Sequence, residues 1–165
     1  MKPKSPLFSV ALFAIAFSVS ANVQAQENEL KVSATYQIEE GHRHGWIMMK
    51  IEIPKDHHIY SLTQEGNPPP SKVVVAESDQ FKLMKAFSSK EKPIVIEHDE
   101  VFAQRVEKHE GKITFMAPIT VADAADLQNV KFDVKLSGQI CSDKGCRLLK
   151  KPVEVAFAGF YKKQK

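Results

Sequence analysis

The sequence of 165 residues is poor in the residues that most functional motifs need, with only two cysteines, one tryptophan and seven glycines. It holds no glycine-rich phosphate loop, no serine–histidine–carboxylate order of a hydrolytic triad and no carboxylate pair placed for glycoside chemistry. Internal repeats and low-complexity segments are absent as well. These absences exclude the common nucleotide-binding and hydrolytic classes, so we expect any catalysis to be thiol chemistry.

Long apolar runs are also lacking. The run over residues 7–19 is shorter than the about 20 residues that a membrane-spanning helix needs. It follows Lys2 and Lys4 and precedes the small residues Val23 and Ala25, which is the pattern of a secretory signal peptide. We predict a signal peptide over 1–25 and export to the periplasm without stable membrane insertion. An uncleaved membrane anchor is the alternative.

Neither sign of charge is in excess. The chain carries 23 basic and 20 acidic residues, and two of the basic ones lie in the predicted signal peptide. The mature chain, 26–165, is therefore close to neutral, which gives no reason to expect nucleic acid as a partner. Its length is that of one domain, which we expect to be a monomer.

Helical periodicity is nearly absent from the mature chain. Apolar and polar residues alternate instead, which is the period of half-buried strands. Residues 121–127 have helical composition but make barely two turns, and are interpreted as a connection between two sheets. The short strands and frequent turns predict an all-β, immunoglobulin-like β-sandwich with Trp46 as a candidate core residue. Predicted strands cover 30–38, 47–53, 57–62, 73–76, 81–84, 94–96, 113–117 and 130–136, with 153–157 as the partner of the last.

The two cysteines, Cys141 and Cys146, flank turn-forming residues. An exported protein meets an oxidising compartment, where such a pair closes, and an even number leaves no thiol over. Four intervening residues let the two Cα atoms approach within the roughly 4.4–6.8 Å of a disulfide. We therefore predict a Cys141–Cys146 disulfide at the neck of a hairpin.

The residues alone leave the purpose of this bridge open. Closing so short a loop stabilises a protein by only about 2 kcal/mol, against about 4–5 kcal/mol for a loop of a hundred residues. A short bridge in a turn is also accessible, and accessible bridges are the labile ones. The alternatives are a redox-active disulfide, and a structural disulfide in a non-enzymatic immunoglobulin-like binding module.

A metal-binding envelope protein is a third alternative. His42 and His44 form an H-x-H pattern in a turn, and His57 and His58 are adjacent. With two thiolates they could bind copper or zinc. Neighbouring strand residues point to opposite faces, however, so His57 and His58 cannot share an ion from a regular strand. No spacing matches a known zinc site, and we predict no metal and no cofactor.

Four segments carry a resemblance by their order along the chain. They are Gly45-Trp46 leading into Asp56-His57-His58-Ile59-Tyr60-Ser61, then Gly66-Asn67-Pro68-Pro69-Pro70-Ser71, then Asp99-Glu100-Val101-Phe102 followed by Val106-Glu107 and Gly111-Lys112-Ile113-Thr114-Phe115, and finally Ser137-Gly138-Gln139-Ile140-Cys141-Ser142-Asp143-Lys144-Gly145-Cys146. With the cysteines late in an all-β domain, the chain resembles the periplasmic N-terminal domain of the thiol–disulfide interchange protein DsbD over nearly all of its mature sequence.

The resemblance implies an immunoglobulin-like domain, here expected to stand alone, that shuttles reducing equivalents. It would be reduced by a thioredoxin-like domain of a membrane reductase and would reduce disulfide-bonded periplasmic proteins. Cys146 would be the exchanging nucleophile and Cys141 the resolving partner. Tyr60 matches a tyrosine beside the cysteines of the family, although a half-buried strand aromatic is an equal explanation.

Two departures from the family pattern concern the surroundings of the cysteines. The family caps them with a Phe after an Asp-Glu pair, whereas here Val101 follows Asp99 and Glu100, and Phe102 comes one position later. Either Phe102 shields the bridge or the shielding is weaker. Asp99 and Glu100 would raise the pKa of a nearby thiol, or are ordinary solvated loop residues. After Cys146, residues 147–151 replace the aromatic or proline-containing stretch that the family often has.

Overall fold

The computed structural model describes residues 29–76 and 78–162, and every regular element in these ranges is a strand. The predicted signal peptide lies outside the described residues. No described segment forms a helix of the length and apolarity needed to cross a bilayer. The strands are β1 (Lys31–Glu39), β2 (His44–Glu52), β3 (His58–Tyr60), β4 (Lys72–Val75), β5 (Phe81–Leu83), β6 (Ser88–Ser89), β7 (Ile94–Asp99), β8 (Gln104–His109), β9 (Lys112–Val121), β10 (Val134–Ser142), β11 (Gly145–Val153) and β12 (Val155–Tyr161).

Two six-stranded sheets make up the fold. The first has the order β12-β1-β2-β9-β5, with β6 also on β9, and the second has the order β11-β10-β3-β8-β7, with β4 also on β10. Only β1 and β12 pair in parallel among the strand pairs of the described residues. The predicted all-β, immunoglobulin-like sandwich is confirmed.

The core lies between the sheets because each long strand alternates buried and exposed side chains. In β2, Ile47, Met49 and Ile51 are fully buried. Tyr36 packs against Phe132 and Phe157, with ring centroids 4.9 and 5.1 Å apart. Each large apolar side chain buried in this way contributes about 1.5–3 kcal/mol to stability.

Trp46 is not a core residue, contrary to the prediction. It is 36 % exposed, because it alternates with the buried Ile47 and therefore projects from the outer face of the first sheet. Strand periodicity alone assigns Trp46 and Ile47 to opposite faces, and the aliphatic residues of β2 take the inner one.

The predicted partner of β10 is only partly right. Val134 pairs with Val153 as expected, but Val155 and Phe157 pair in parallel with Ala34 and Tyr36 of the first sheet. The reason is that the tight turn after Ser142 fixes the hairpin register. The ladder therefore ends at Val153, and the chain passes to the other sheet.

Residues 121–127 connect the two sheets, as predicted, and form no helix. Strand β9 runs to Val121, after which a series of turns leads to β10. The Arg43 guanidinium holds this crossover by donating to the carbonyl oxygens of Ala122, Asp123 and Ala125 at 2.6–3.0 Å. Buried Val130 and half-buried Phe132 lie within the crossover and fill the core without belonging to a strand.

Candidate functional site

The cysteines lie directly opposite each other at the end of the β10–β11 hairpin. Cys141 pairs with Cys146, and Ser142 with Gly145, so the loop has only two residues. Gly145 has φ of +126°, a backbone conformation that favours glycine. The Cα atoms of the cysteines are 4.0 Å apart and the sulfur atoms are bonded. The predicted disulfide is present, and it closes without any movement of the domain.

The two bonded cysteines differ sharply in accessibility. Cys141 is 1 % exposed, whereas Cys146 is an exposed residue of the edge strand β11. An incoming thiolate must reach a sulfur atom in order to attack it. Attack from solvent is therefore directed at Cys146, and the leaving sulfur would be that of Cys141.

The buried sulfur lies on the outer face of the second sheet. Cys141 is opposite His58 of β3, and Ile140 is opposite Ile59. Because side chains alternate along a strand, His58, Tyr60 and both cysteines share the outer face, whereas Ile59 and Ile140 point into the core. The outer face has its own small apolar cluster, formed by Tyr60, Val106 and Cys141 with Phe102 packed against it.

The β7–β8 turn folds over this cluster. The Asp99 carboxylate accepts hydrogen bonds from the N–H groups of Val101 and Phe102 at 2.9 and 3.1 Å, and the Asp99 carbonyl accepts one from Ala103 at 2.8 Å. These bonds place the Phe102 ring edge-on to Tyr60, with centroids 6.2 Å apart. Val101 is 84 % exposed. Phe102 is therefore the aromatic residue that covers the cluster.

The two acidic residues of the turn have different places. Asp99 organises the turn and lies near Tyr60, whose pKa is raised first by burial and then by the Asp99 charge. Glu100 is exposed at the tip. The structure thus brings Tyr60 and Phe102 together with Cys141, places Asp99 in the turn near Tyr60, and leaves Glu100 and Val101 facing solvent.

His58 belongs to the site, although the sequence pattern indicated for it only a possible role as a metal ligand. It is half-buried, and its ring contacts Tyr60 edge-on at 5.4 Å. Burial, followed by the nearby positive charge of Lys108, lowers the pKa of His58, while Glu110 and Asp99 act in the opposite direction. The imidazole beside Cys141 is therefore neutral at neutral pH. The sequence signal that could have identified His58 is its spacing of two residues from Tyr60, which places both side chains on the same face of a strand.

A shallow basic surface surrounds the exposed cysteine. A depression of about 250 Å³ contains Cys146 and is lined by His57, Lys144 and Arg147, among others. Basic groups beside a sulfur atom stabilise its thiolate. Once the bridge is opened, this surface therefore favours a reactive thiolate at Cys146. It also favours the approach of a partner that carries negative charge.

A buried carboxylate anchors the segment that follows Tyr60. Thr63 Oγ1 donates to Glu107 Oε2 at 2.5 Å, Arg105 binds the other carboxylate oxygen, and Gln64 Oε1 accepts the Glu107 N–H at 2.6 Å. The Thr63 hydrogen bond and then Arg105 hold the pKa of Glu107 below its usual value, against the effect of burial. This network fixes β3, and with it His58 and Tyr60, on β8.

The histidine patterns do not assemble into a metal site. The His42 and His44 rings are 6.5 Å apart, but Nδ1 of His44 is bonded to Thr120 at 3.0 Å. Nδ1 of His57 bonds the Lys55 carbonyl, while His58 packs on Tyr60. Within 29–76 and 78–162, no three residues of the His, Cys, Asp or Glu type are placed to hold an ion.

Comparisons with known proteins bear on the fold. No protein-family model matches the chain, and no curated protein sequence matches it. The N-terminal periplasmic domain of ScsB from Proteus mirabilis superposes with a TM-score of 0.50 at 10 % identity, over 74 % of this chain and 43 % of that one. The reduced DsbD N-terminal domain of Neisseria meningitidis gives a TM-score of 0.46 at 16 % identity, over 81 % and 90 % of the two chains.

The chain thus spans less than half the length of the ScsB domain that it matches. At this identity the likeness concerns the course of the backbone and not the activity. The chain has the β-sandwich fold of the ScsB N-terminal periplasmic domain, in agreement with the fold that its resemblance to DsbD implies.

Proposed function

We propose that the chain is an exported thiol–disulfide exchange protein that passes reducing equivalents through Cys141 and Cys146 in the periplasm. The donor would be a thioredoxin-like domain of a membrane reductase, and the acceptors would be disulfide-bonded envelope proteins. The observation that supports this most is the bond between an exposed and a buried cysteine under Phe102. The predicted signal peptide and the likeness to a periplasmic domain support the location.

Reduction of the bridge begins at the exposed sulfur. A donor thiolate attacks Cys146 Sγ, the Cys141–Cys146 bond breaks, and its electron pair leaves with Cys141, which takes up a proton. The second thiolate of the donor then attacks the donor sulfur that is bonded to Cys146 in the mixed disulfide, and the Cys146 thiolate is released. The donor is oxidised to a disulfide, and the domain gains two electrons.

Delivery to an acceptor reverses these steps. The Cys146 thiolate attacks the acceptor disulfide, one acceptor sulfur leaves as a thiolate, and a mixed disulfide forms. Cys141 then loses its proton and attacks Cys146 Sγ, which releases the acceptor. A thiol buried beside Tyr60 and Val106 is hard to ionise. The neutral imidazole of His58, opposite Cys141 in the ladder, is the base that we assign to this proton.

A purely structural role explains the bridge less well. The two strands that it joins already form nine residue pairs with each other, and a two-residue loop connects them. The residues of a closed hairpin are near one another without the bond, so cross-linking them adds little beyond the about 2 kcal/mol of loop entropy. A sandwich gains more from a disulfide that joins distant strands.

The direct test is redox equilibration of the oxidised protein in thioredoxin or glutathione buffers of stepped potential, with free thiols counted after acid quenching. We expect two thiols to appear together at a potential above about −300 mV, the value below which structural disulfides lie. A bridge that stays closed at that potential would rule out the carrier function. A structural bridge also predicts marked destabilisation when both cysteines become alanine.

A further inference from the structure

The outer face of the first sheet carries a group of soft donor atoms that the thiol chemistry does not use. Met49 lies in the core, whereas Met48, Met84 and Met116 are all at least partly exposed. Met48 and Met116 are directly opposite in the β2–β9 ladder, and both alternate with buried residues, so they share the outer face. Cβ atoms of such pairs are about 4.5–5.5 Å apart, within the reach of two thioethers to one ion.

Two further residues extend this pair along the same face. Trp46 precedes Met48 by two positions and lies opposite Pro118. The Met84 N–H donates to the Pro118 carbonyl at 2.9 Å, which places Met84 on the other flank of Pro118, diagonal to Met116. Trp46, Met84 and Pro118 line a depression of about 620 Å³ on this face.

The donor set selects a particular kind of ion. Thioethers are soft and uncharged, and they favour Cu(I) over Zn²⁺ or Mg²⁺. They do not titrate and do not form disulfides, so they stay available where the thiols are oxidised. An indole face beside the ion adds a favourable cation–π contact. No competing cluster of harder ligands is found in the described part of the chain.

We propose that Met48 and Met116 bind one soft monovalent metal ion, Cu(I), next to the indole of Trp46, with Met84 as a third ligand from the neighbouring edge. The site is independent of the thiol exchange function, since it uses neither cysteine and lies on the other sheet.

The test is titration of the oxidised protein with Ag(I), a redox-inert substitute, and with Cu(I) under argon against a chromophoric chelator. Trp46 is the only tryptophan, so its fluorescence reports the site directly. We expect one equivalent of either ion to bind and quench the emission, and Zn²⁺ to have no effect. Absence of Cu(I) and Ag(I) binding would overturn the proposal.

Three variants locate the ion. Met48→Leu and Met116→Leu keep the shape of the side chain and should each lower the affinity at least about tenfold, because even partners of metal ligands contribute tenfold or more. Met84→Leu should weaken binding less. Met49→Leu, on the buried side of the same strand, is the matched control and should bind normally. Unchanged affinity in Met48→Leu and Met116→Leu, or binding that disappears only in the Cys141→Ser, Cys146→Ser double variant, contradicts the proposal.

Discussion

The two outer faces of the sandwich both present sulfur, yet they present it in different ways. On the second sheet, Cys141 is 1 % exposed beneath Phe102, and only Cys146 meets solvent. On the first sheet, Met48 and Met116 are both partly exposed on an open outer face, which they share with Trp46. One face is covered and the other is open.

The difference follows from what each sulfur can do. A thiol can be ionised, oxidised and attacked, so its reactivity depends on exposure and on neighbouring charges. A thioether has no proton to lose and needs only access for a ligand. A cover over the thiols therefore controls a reaction, whereas a cover over the methionines would only block binding. Substitutions on the two faces should therefore have different consequences.

The two cysteines should give opposite results when exchanged singly for serine. Cys141→Ser leaves the exposed thiol without its resolving partner, so mixed disulfides with envelope proteins should accumulate through Cys146. Cys146→Ser leaves only a buried thiol and should trap nothing. Non-reducing electrophoresis of cells treated with a thiol-blocking agent measures both. Equal trapping by the two variants would mean that the accessibility of the cysteines does not decide which one exchanges.

His58→Gln should slow the resolving step, in which Cys141 expels a bound thiol from Cys146. Loss of a positioned base should cost about tenfold or more near neutral pH. The wild-type rate should also fall as His58 becomes protonated at acid pH, and the variant should show the thiol titration alone. Stopped-flow release of thiol from a glutathione adduct measures this, with the exposed His42→Gln, outside the site, as the control. Identical pH profiles for wild type and His58→Gln would remove His58 from the mechanism.

The same substitution has a sign-specific effect on stability. Burial lowers the pKa of His58, so between that pKa and about 6.5 the unfolded state binds a proton that the folded state does not. Stability therefore rises with pH across this window and is lost as the pH falls through it. His58→Gln should remove part of the acid loss. Burial also lowers the pKa of His109, so the His58→Gln variant should still lose some stability at acid pH.

Phe102→Ala should let a small thiol such as dithiothreitol attack Cys141 as well as the exposed Cys146, and should therefore speed reduction of the bridge. The Phe102–Tyr60 contact is an edge-on aromatic pair worth about 0.5–1.5 kcal/mol, so opening of the cover should become about two- to tenfold more frequent. Val101→Ala, one residue away and exposed, should leave the rate unchanged. Equal rates for Phe102→Ala and wild type would show that the aromatic ring does not limit access to the sulfur atoms.

Local patterns in the sequence predict part of the covered outer face of the second sheet. Alternation predicts a strand over 130–136, which overlaps β10 only at 134–136, and the spacing of Cys141 and Cys146 predicts a bridge within its hairpin. The approach of His58 to Cys141 could not be derived, because it depends on the register between β3 and β10, strands about eighty residues apart. The choice of Phe102 over Val101 depends on three hydrogen bonds to Asp99 and on the positive φ of Ala103, which no apolar pattern encodes.

The residues on the open outer face of the first sheet could not be predicted from strand periodicity. Alternation separates Trp46 from Ile47, but it does not say which of the two faces the core, and the preference of large aromatic residues for burial suggested the wrong one. The pairing of Met48 with Met116 joins strands whose sequence positions are nearly seventy residues apart. Such contacts come from sheet topology, and the topology is set by the whole core.

The smallest expected effect is the sharpest test of the separation between the faces. Met48→Leu and Trp46→Phe change the open face while the buried side of β2 keeps Ile47 and Met49. Substitutions without shared partners and far apart act independently. Neither variant should therefore change the reduction potential of the Cys141–Cys146 bridge or its rate of exchange with thioredoxin. A measurable shift in either quantity would show that the two faces are coupled through the core.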